Sequence, residues 1–286
     1  MPELPEVETI RRDLEQYILN LRIKKVTAIS SKVLRTSLKN LQKKLLNTHI
    51  TAITRRGKLL IFSLHDEKHH LLIHLKMTGQ LIYRTKKFLI AGGHSLGQRI
   101  GGLPDAYTRL ILTFQNGAEL FLNDMRLFAY AHIVDHPTLE KTLSAFGPEP
   151  LSSDFTKNYL EIILKKRQTS IKAILLNQTL IAGIGNIYAD EVCFAAGIRP
   201  DRKASTIKKD GVARLHEAII TILPLAITKR GTTFNSYVDG TGKKGNFVSH
   251  LQVYCHGGKP CPRCGTTLQK KKVAGRGTVI CPQCQK

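Results

Sequence analysis

The stretch CPRCGTTLQKKKVAGRGTVICPQC, residues 261–284, decides how the end of this 286-residue chain folds. Cys261, Cys264, Cys281 and Cys284 stand in the spacing C-x2-C-x16-C-x2-C. Each C-x2-C turn lets two thiolates converge on one ion, and two such turns complete a tetrahedron. One structural zinc ion suits this set; a redox pair and an iron–sulfur site are the alternatives. Four thiolates leave no open position on zinc, so the metal staples rather than catalyses. A module of roughly 25 residues cannot build its own core, hence the metal. Between the cysteines lie Lys270, Lys271, Lys272 and Arg276. A stapled hairpin carrying these cations is suited to phosphate or to a nucleic-acid groove.

The whole chain shares that charge. It has 44 Lys and Arg against 21 Asp and Glu, a net charge of +23 and a pI near 9.9. The excess points to a polyanion, nucleic acid foremost. Hydrophobic residues make up 42%, enough for ordinary globular packing rather than disorder. No run of about 18 apolar residues suggests a membrane span. The N-terminus has acids where a secretory signal would have a basic region and an apolar stretch. The expectation is a soluble cytosolic protein, in which cysteines are not disulfides. Cys193 reads as core and Cys255 as a bystander.

Upstream of the ribbon the apolar period is helical in DFTKNYLEIILKKR, SIKAILLNQ, NIYADEVCFAAG and residues 205–229. Asp154 is placed to cap the first of these. Gly197, with Pro200 beyond, fits a helix end. Pro224 predicts a kink or stop. Residues 231–247 are polar and glycine-rich, a flexible loop, and HPTLEKTLSAFGPEPLSSD, 136–154, has the prolines of a linker. Residues 22–135 read mainly as strands, with Asn116-Gly117 as a hairpin turn and 86–106 as a long loop. Before them, Pro5, Glu6 and Glu8 suit the first turn of a helix whose Val7, Ile10, Leu14, Tyr17 and Ile18 share a face.

Two further stretches carry chemistry. In IAGIGNIYADE, Gly183 and Gly185 make a tight turn and Asn186 opens a helix, whose free N–H groups suit phosphate; simple capping explains the same residues. The N-terminus MPELPEVE places Pro2 and Glu3 ahead of the helix. Methionine is commonly removed before proline, which leaves Pro2 a secondary amine. An α-amino group has a pKa near 7.7–8.0, so part of it is uncharged at neutral pH. Such an amine attacks electrophilic carbon and forms an iminium, with Glu3 and Glu6 near enough to move protons.

MPELPEVETIRR, RRGKLL, HLKMTG, DMRLF, GIGNIYADE and the four-cysteine ribbon occur in that order over essentially the whole chain. This set resembles the formamidopyrimidine-DNA glycosylase family, and PELPEVE resembles its oxidised-purine branch. The resemblance implies an α+β fold: an N-terminal β-sandwich flanked by helices, a helix-two-turn-helix domain and a C-terminal zinc ribbon, with DNA between them. The implied boundaries are 1–135, a linker 136–154, 155–247 with a mobile loop, and 248–286. It further implies a monomer in the bacterial cytoplasm, at the nucleoid, acting on double-stranded damaged DNA with no membrane partner.

By the same resemblance, Pro2 attacks C1′ and expels the base, and β- and δ-elimination then cut the strand. Glu3 helps open the sugar and Glu6 holds the N-terminal segment. Lys58 and Lys172 resemble lysines near the lesion and its phosphates. His74, Asn186 and Arg276 resemble phosphate contacts. Met77, Arg126 and Phe128 resemble the side chains that fill the hole left by a flipped nucleotide, and 231–247 the loop that closes over the extruded base. Taken alone, Met77 and Phe128 are also good core residues, Lys58 a solvated cation and His74 a satisfied strand histidine. Leu127, Ala129 and Lys76 depart from the family pattern, which bears on opposite-base preference. Two rival readings are an endonuclease VIII-like enzyme for oxidised pyrimidines and a non-catalytic DNA-binding protein on the same scaffold.

Overall fold

Short runs of apolar side chains build the first part of the molecule. The computed structural model describes residues 1–93, 102–232 and 247–286. They fall into two units, Met1–Ser144 with Lys229–Val248, and Ala145–Thr228 with Ser249–Lys286. The first unit runs α1 (Leu4–Ile18), β1 (Ile23–Ala28), α2 (Leu38–Leu45), β2 (Ile50–Arg56), β3 (Leu59–Leu64), β4 (His69–His74), β5 (Gly79–Arg84), β6 (Leu89–Gly93), β7 (Thr108–Phe114), β8 (Glu119–Asp124), β9 (Tyr130–Asp135) and α3 (His136–Ser144). One sheet has the order β1-β7-β8-β5-β6 and the other β2-β3-β4-β9. Phe62, Leu71 and Ile73 of one sheet share a core with Leu81, Leu112 and Leu120 of the other, which makes a β-sandwich. Val7, Ile10, Leu14 and Ile18 of α1 join that core. Each large side chain so buried contributes roughly 1.5–3 kcal/mol. Tyr17 stays at the rim and stacks on Tyr83.

Three local differences from the sequence reading have simple causes. Within 86–106, Leu89–Gly93 is strand β6, paired with β5 at the sheet edge. Its five residues are too few and too glycine-rich to show a period. Residues 136–144 of the expected linker form α3. Pro137 lies in its first turn, where a missing N–H costs nothing, and Asp135 Oδ1 accepts from Thr138 N at 3.0 Å. The third, in the helical unit, is the cap of the first helix there. The Asn116-Gly117 turn is present as expected, with φ of 81° at Gly117.

The second unit holds α4 (Lys157–Lys165), α5 (Ile171–Leu176), α6 (Asn186–Ala196), α7 (Lys209–Thr228) and the hairpin β10 (Gln269–Val273) and β11 (Arg276–Ile280). Thr156, not Asp154, caps α4, its hydroxyl accepting from Tyr159 N at 3.0 Å. Asp154 stands two residues too early. Gly197 ends α6 at φ 69°. α7 continues through Pro224, because Leu223, Ala226 and Ile227 are buried and hold the last turn despite the lost hydrogen bond. By length and composition α7 could cross a membrane, but half of that stretch is buried within the protein, as in a core helix. Ala274 and Gly275, both left-handed, close the β10–β11 turn. Residues 233–246 of the expected mobile loop lie outside the described residues; Gly231 and Thr232 group with the first unit.

Candidate active site and nucleic-acid interface

In the first unit, Pro2 is buried and Glu3 is the residue before α1. Glu3 N donates to Glu6 Oε2 at 2.8 Å. The other oxygen of Glu6 accepts from Thr232 N at 2.8 Å and from its hydroxyl at 3.1 Å. Glu6 thus ties the start of the chain to residue 232. Gly231 permits this: its φ is 77°, and a Cβ there would stand 2.6 Å from Glu6 Oε1. Glu8 is a second tie. It accepts from Arg11, Arg12 and Arg55, the last on β2. Burial opposes its charge, but these hydrogen bonds and the Arg55 and Arg11 charges pull its pKa down to about 2. The strand so tied leads through Gly57 (φ 56°) into the turn that carries Lys58, which is buried.

Beside this turn, on β4, is His74. Its Nδ1 accepts from Lys76 N at 3.0 Å, so the neutral ring carries its proton on Nε2. Burial first, then the charges of Lys76, Lys58 and Arg35, hold its pKa at about 3. His74 is therefore an uncharged donor at neutral pH.

Met77, Arg126 and Phe128 are brought together. Arg126 Nη1 lies 3.5 Å from Met77 Sδ, and its guanidinium carbon is 4.6 Å from the Phe128 ring centre. Met77 and Phe128 are 38% and 50% exposed, so neither is a core residue. Met125 beside them is exposed as well. The loop that presents them is organised by fully buried Asp124. One oxygen accepts from the Thr78 hydroxyl and from Arg126 N at 3.2 Å; the other accepts from Ala129 N at 2.7 Å. Leu127 takes the left-handed conformation inside this loop, and Lys76 takes it beside Met77. Asp124 opens the DMRLF stretch, yet its role was not legible without the contacts.

In the second unit the phosphate-binding expectation meets a correction at Lys172. This lysine is completely buried. Its ammonium donates to Asp190 Oδ1 at 2.5 Å, the Thr278 hydroxyl at 2.7 Å and the Gly277 carbonyl at 3.2 Å. It is spent inside the protein and has no face for a phosphate. Asn186 Nδ2 donates to the same Gly277 carbonyl at 3.0 Å. Asp190 also accepts from Val279 N at 3.1 Å. Lys172, Asn186 and Asp190 thus seat the strand just after Arg276, which is itself exposed. Glu191 accepts from the backbone N–H groups of Gln252, Val253 and Tyr254 at 2.8–3.0 Å. The two acids of NIYADE anchor the ribbon, a function the glycine turn before them does not reveal. Burial raises both carboxyls, Asp190 to about 6 despite its lysine.

The four cysteine sulfurs lie within 4.8 Å of one another, with Cys261–Cys284 at 3.9 Å and Cys264–Cys281 at 3.5 Å. A tetrahedral ion with bonds of about 2.3 Å places its sulfurs about 3.8 Å apart. The donor set fits a four-thiolate metal centre. Cys193 is buried core and Cys255 is exposed and outside the cluster.

A sandwich unit, a helical unit with a stapled ribbon, and an exposed apolar–cationic trio define a class of nucleic-acid protein. Comparison with known proteins identifies the family. The formamidopyrimidine-DNA glycosylase N-terminal domain model matches residues 1–131, the H2TH domain model of that family residues 146–237, and the zinc finger found in FPG and IleRS residues 258–286. The chain belongs to the formamidopyrimidine-DNA glycosylase family. A Pelotomaculum thermopropionicum protein of that name is 42% identical over 100% of this chain and 99% of its own. One from Desulfitobacterium hafniense is 39% identical over 100% of both. Among solved structures, a Lactococcus lactis FPG mutant in complex with Fapy-dG-containing DNA aligns over 100% of both chains, with a TM-score of 0.88 and 35% identity. The Lactococcus lactis Fpg complex with abasic-site DNA gives 0.87 at 35% identity over 99% of both chains.

Proposed function

We propose that this chain is a bifunctional DNA glycosylase and AP lyase that excises oxidised purines, 8-oxoguanine and formamidopyrimidines, from double-stranded DNA. The observation that carries this reading is the trio Met77, Arg126 and Phe128. Large side chains left in water and held together by a buried carboxylate are made to meet a partner. A base pair emptied by flipping offers such side chains a gap to fill. The relatives carry the glycosylase name, and the Lactococcus lactis relatives are seen on Fapy-dG and abasic-site DNA.

The chemistry follows from the N-terminus. Once Met1 is removed, the Pro2 nitrogen attacks C1′ of the damaged nucleoside. The C1′–base bond breaks and the base leaves with a proton. Glu3 supplies a proton to the ring oxygen as the sugar opens to an iminium. Loss of the C2′ proton then expels the 3′ phosphate, and a second elimination expels the 5′ phosphate. Glu6 keeps this end of the chain fixed through Glu3 N and Thr232. Lys58 and the His74 Nε2–H bind phosphate near the lesion, while Arg276 and Asn186 bind the backbone from the second unit. Zinc on the four cysteines holds the ribbon. The relatives' bacterial origin fits a monomeric cytoplasmic enzyme working at the nucleoid.

Borohydride reduction tests the nucleophile. With 8-oxoguanine duplex it should convert the iminium into a stable covalent complex. Retained Met1, or Pro2→Gly, should abolish or strongly reduce trapping. Full trapping with the N-terminus blocked would move the nucleophile elsewhere, Lys58 first. Release of 8-oxoguanine in preference to thymine glycol separates this reading from an endonuclease VIII-like one.

A further inference from the structure

We propose that Arg35 and Lys76, gathered about the ring of Tyr130, form a binding station for one DNA backbone phosphate beside His74; this rests on the DNA-repair reading above. The Arg35 guanidinium carbon lies 3.5 Å from the Tyr130 ring centre and the Lys76 ammonium 5.8 Å from it. The His74 ring centre is 5.7 Å from the same ring. Both cations are held there by their backbones. Arg35 N donates to Ala131 O at 2.9 Å, and Lys76 N donates to His74 Nδ1.

Among the described residues neither side chain has a carboxylate partner. Some arginines of this unit end on acids, as Arg11, Arg12 and Arg55 do on Glu8, and others on backbone carbonyls, as Arg22 and Arg109 do; Arg35 ends on a ring. Two like charges over one ring repel, and no acid among the described residues relieves them. Burial, then Arg35, lowers the Lys76 pKa, consistent with cations close together. An arginine whose guanidinium carbon lies over a tyrosine ring still has N–H groups to offer, and these match phosphate oxygens. The His74 Nε2–H is a third, neutral donor. The group that completes this cluster is an anion with several acceptor oxygens, and a phosphodiester meets that description.

Lys76 has a further mark. Its φ is 51°, a conformation in which glycine is comfortable and a lysine is strained. A lysine kept there against backbone preference supplies something glycine cannot. Lys76→Gly therefore removes the charge while easing the backbone, so lost binding cannot be blamed on unfolding.

The test is equilibrium binding of a duplex containing a tetrahydrofuran abasic analogue, between roughly 50 and 200 mM salt. Lys76→Gly and Arg35→Gln should each weaken binding about tenfold. Each should also make the log–log salt dependence shallower by about 0.9, the signature of one phosphate. The double variant should lose no more slope than either single one, since one phosphate is shared, and Lys76→Arg should keep most of the affinity. Wild-type slope and affinity in both single variants, with Arg276→Ala weakened in the same assay, would overturn the station and leave the DNA reading standing. A flat salt response in the wild type would instead sink the DNA reading, and the station with it. Inorganic phosphate at matched ionic strength should not displace the duplex. Displacement that disappears in Lys76→Gly would reassign the site to free phosphate and refute the proposal.

Discussion

The loop of Met77, Arg126 and Phe128 and the hairpin of Arg276 solve the same problem in different ways. Each presents side chains to solvent, and each hangs on one fully buried aspartate. Asp124 in the sandwich unit receives neutral donors only: the Thr78 hydroxyl and the N–H groups of Arg126 and Ala129. Asp190 in the helical unit receives the Lys172 ammonium and Val279 N. The hairpin also has the four-cysteine cluster beneath it. The loop has no staple, and accepts a left-handed Leu127. A metal-stapled element needs its carboxylate to be seated; an unstapled loop needs its carboxylate to exist at all. Removing the staple and removing each carboxylate should therefore rank differently in the two places.

The largest effect is expected at the metal. Binding of a structural zinc is worth on the order of 10 kcal/mol in small zinc domains, and the ribbon has little core of its own. Cys281→Ser should release zinc, disorder β10 and β11, and lower DNA affinity at least a hundredfold, while the sandwich unit melts as before. Metal content by mass spectrometry and amide exchange over residues 261–284 provide the check. A zinc-free variant with unchanged DNA affinity would break the comparison, since the hairpin would then need no staple.

Next comes Asp124. Asp124→Asn replaces one acceptor with a donor that faces buried N–H or O–H groups, a conflict of about 1–3 kcal/mol for each group left unpaired. The trio should lose its arrangement and the excision of paired 8-oxoguanine should slow by roughly a hundredfold. Phe128→Ala removes only the stacking surface, about 1–3 kcal/mol, so the same rate should fall roughly ten- to a hundredfold. Cleavage at a preformed abasic site, which has no base to extrude, should fall far less in both variants. Single-turnover rates on the two substrates decide it. If the two rates fall by one common factor, these residues support the fold or the catalytic centre, and the wedge assignment is wrong.

Legibility in the sequence follows the same division. The ribbon could be read from four cysteines because a metal imposes fixed spacing on its ligands. The strands could be read from runs of β-branched and apolar residues, their assembly into a sandwich only from the family resemblance, and the start of α6 from Gly185-Asn186. Lys172 could not: its neighbours in SIKAILL say helix, but only the fold sets it against Asp190 and Thr278. Asp124, Tyr130, Arg35 and Thr232 were silent for the same reason. Each acts on a residue far away in sequence, or through a ring contact that leaves no pattern. Strand β6 and helix α3 were missed because five residues and a first-turn proline carry too little local signal.

The smallest effect is a divergence of the two units with pH, and its sign differs between them. In the sandwich unit His74 has a folded pKa of about 3 against an ordinary 6.5. Between these values the unfolded chain holds the extra proton, so stability falls as pH drops from about 6.5 toward 3. Glu8, at about 2 against 4.5, adds to that loss below its ordinary value. In the helical unit Asp190 behaves oppositely. Its folded pKa is about 6 against 3.8, so between them the folded state holds the extra proton. Its contribution grows as pH falls from about 6 toward 4 and is missing above about 6. His74 and Asp190 each contribute about 1.4 kcal/mol per pH unit inside their windows, so on the order of 1–2 kcal/mol between pH 7 and 5. Amide exchange of β3 and α6 in urea, followed from about pH 7 to 5 with zinc present, should show α6 gaining protection relative to β3. Asp190→Asn should remove the gain in α6 and leave β3 unaltered. A parallel loss in both elements, unchanged in that variant, would show that Asp190 is held by Lys172 as firmly as Glu8 is held by its arginines, and that one buried lysine does the work of three guanidinium groups.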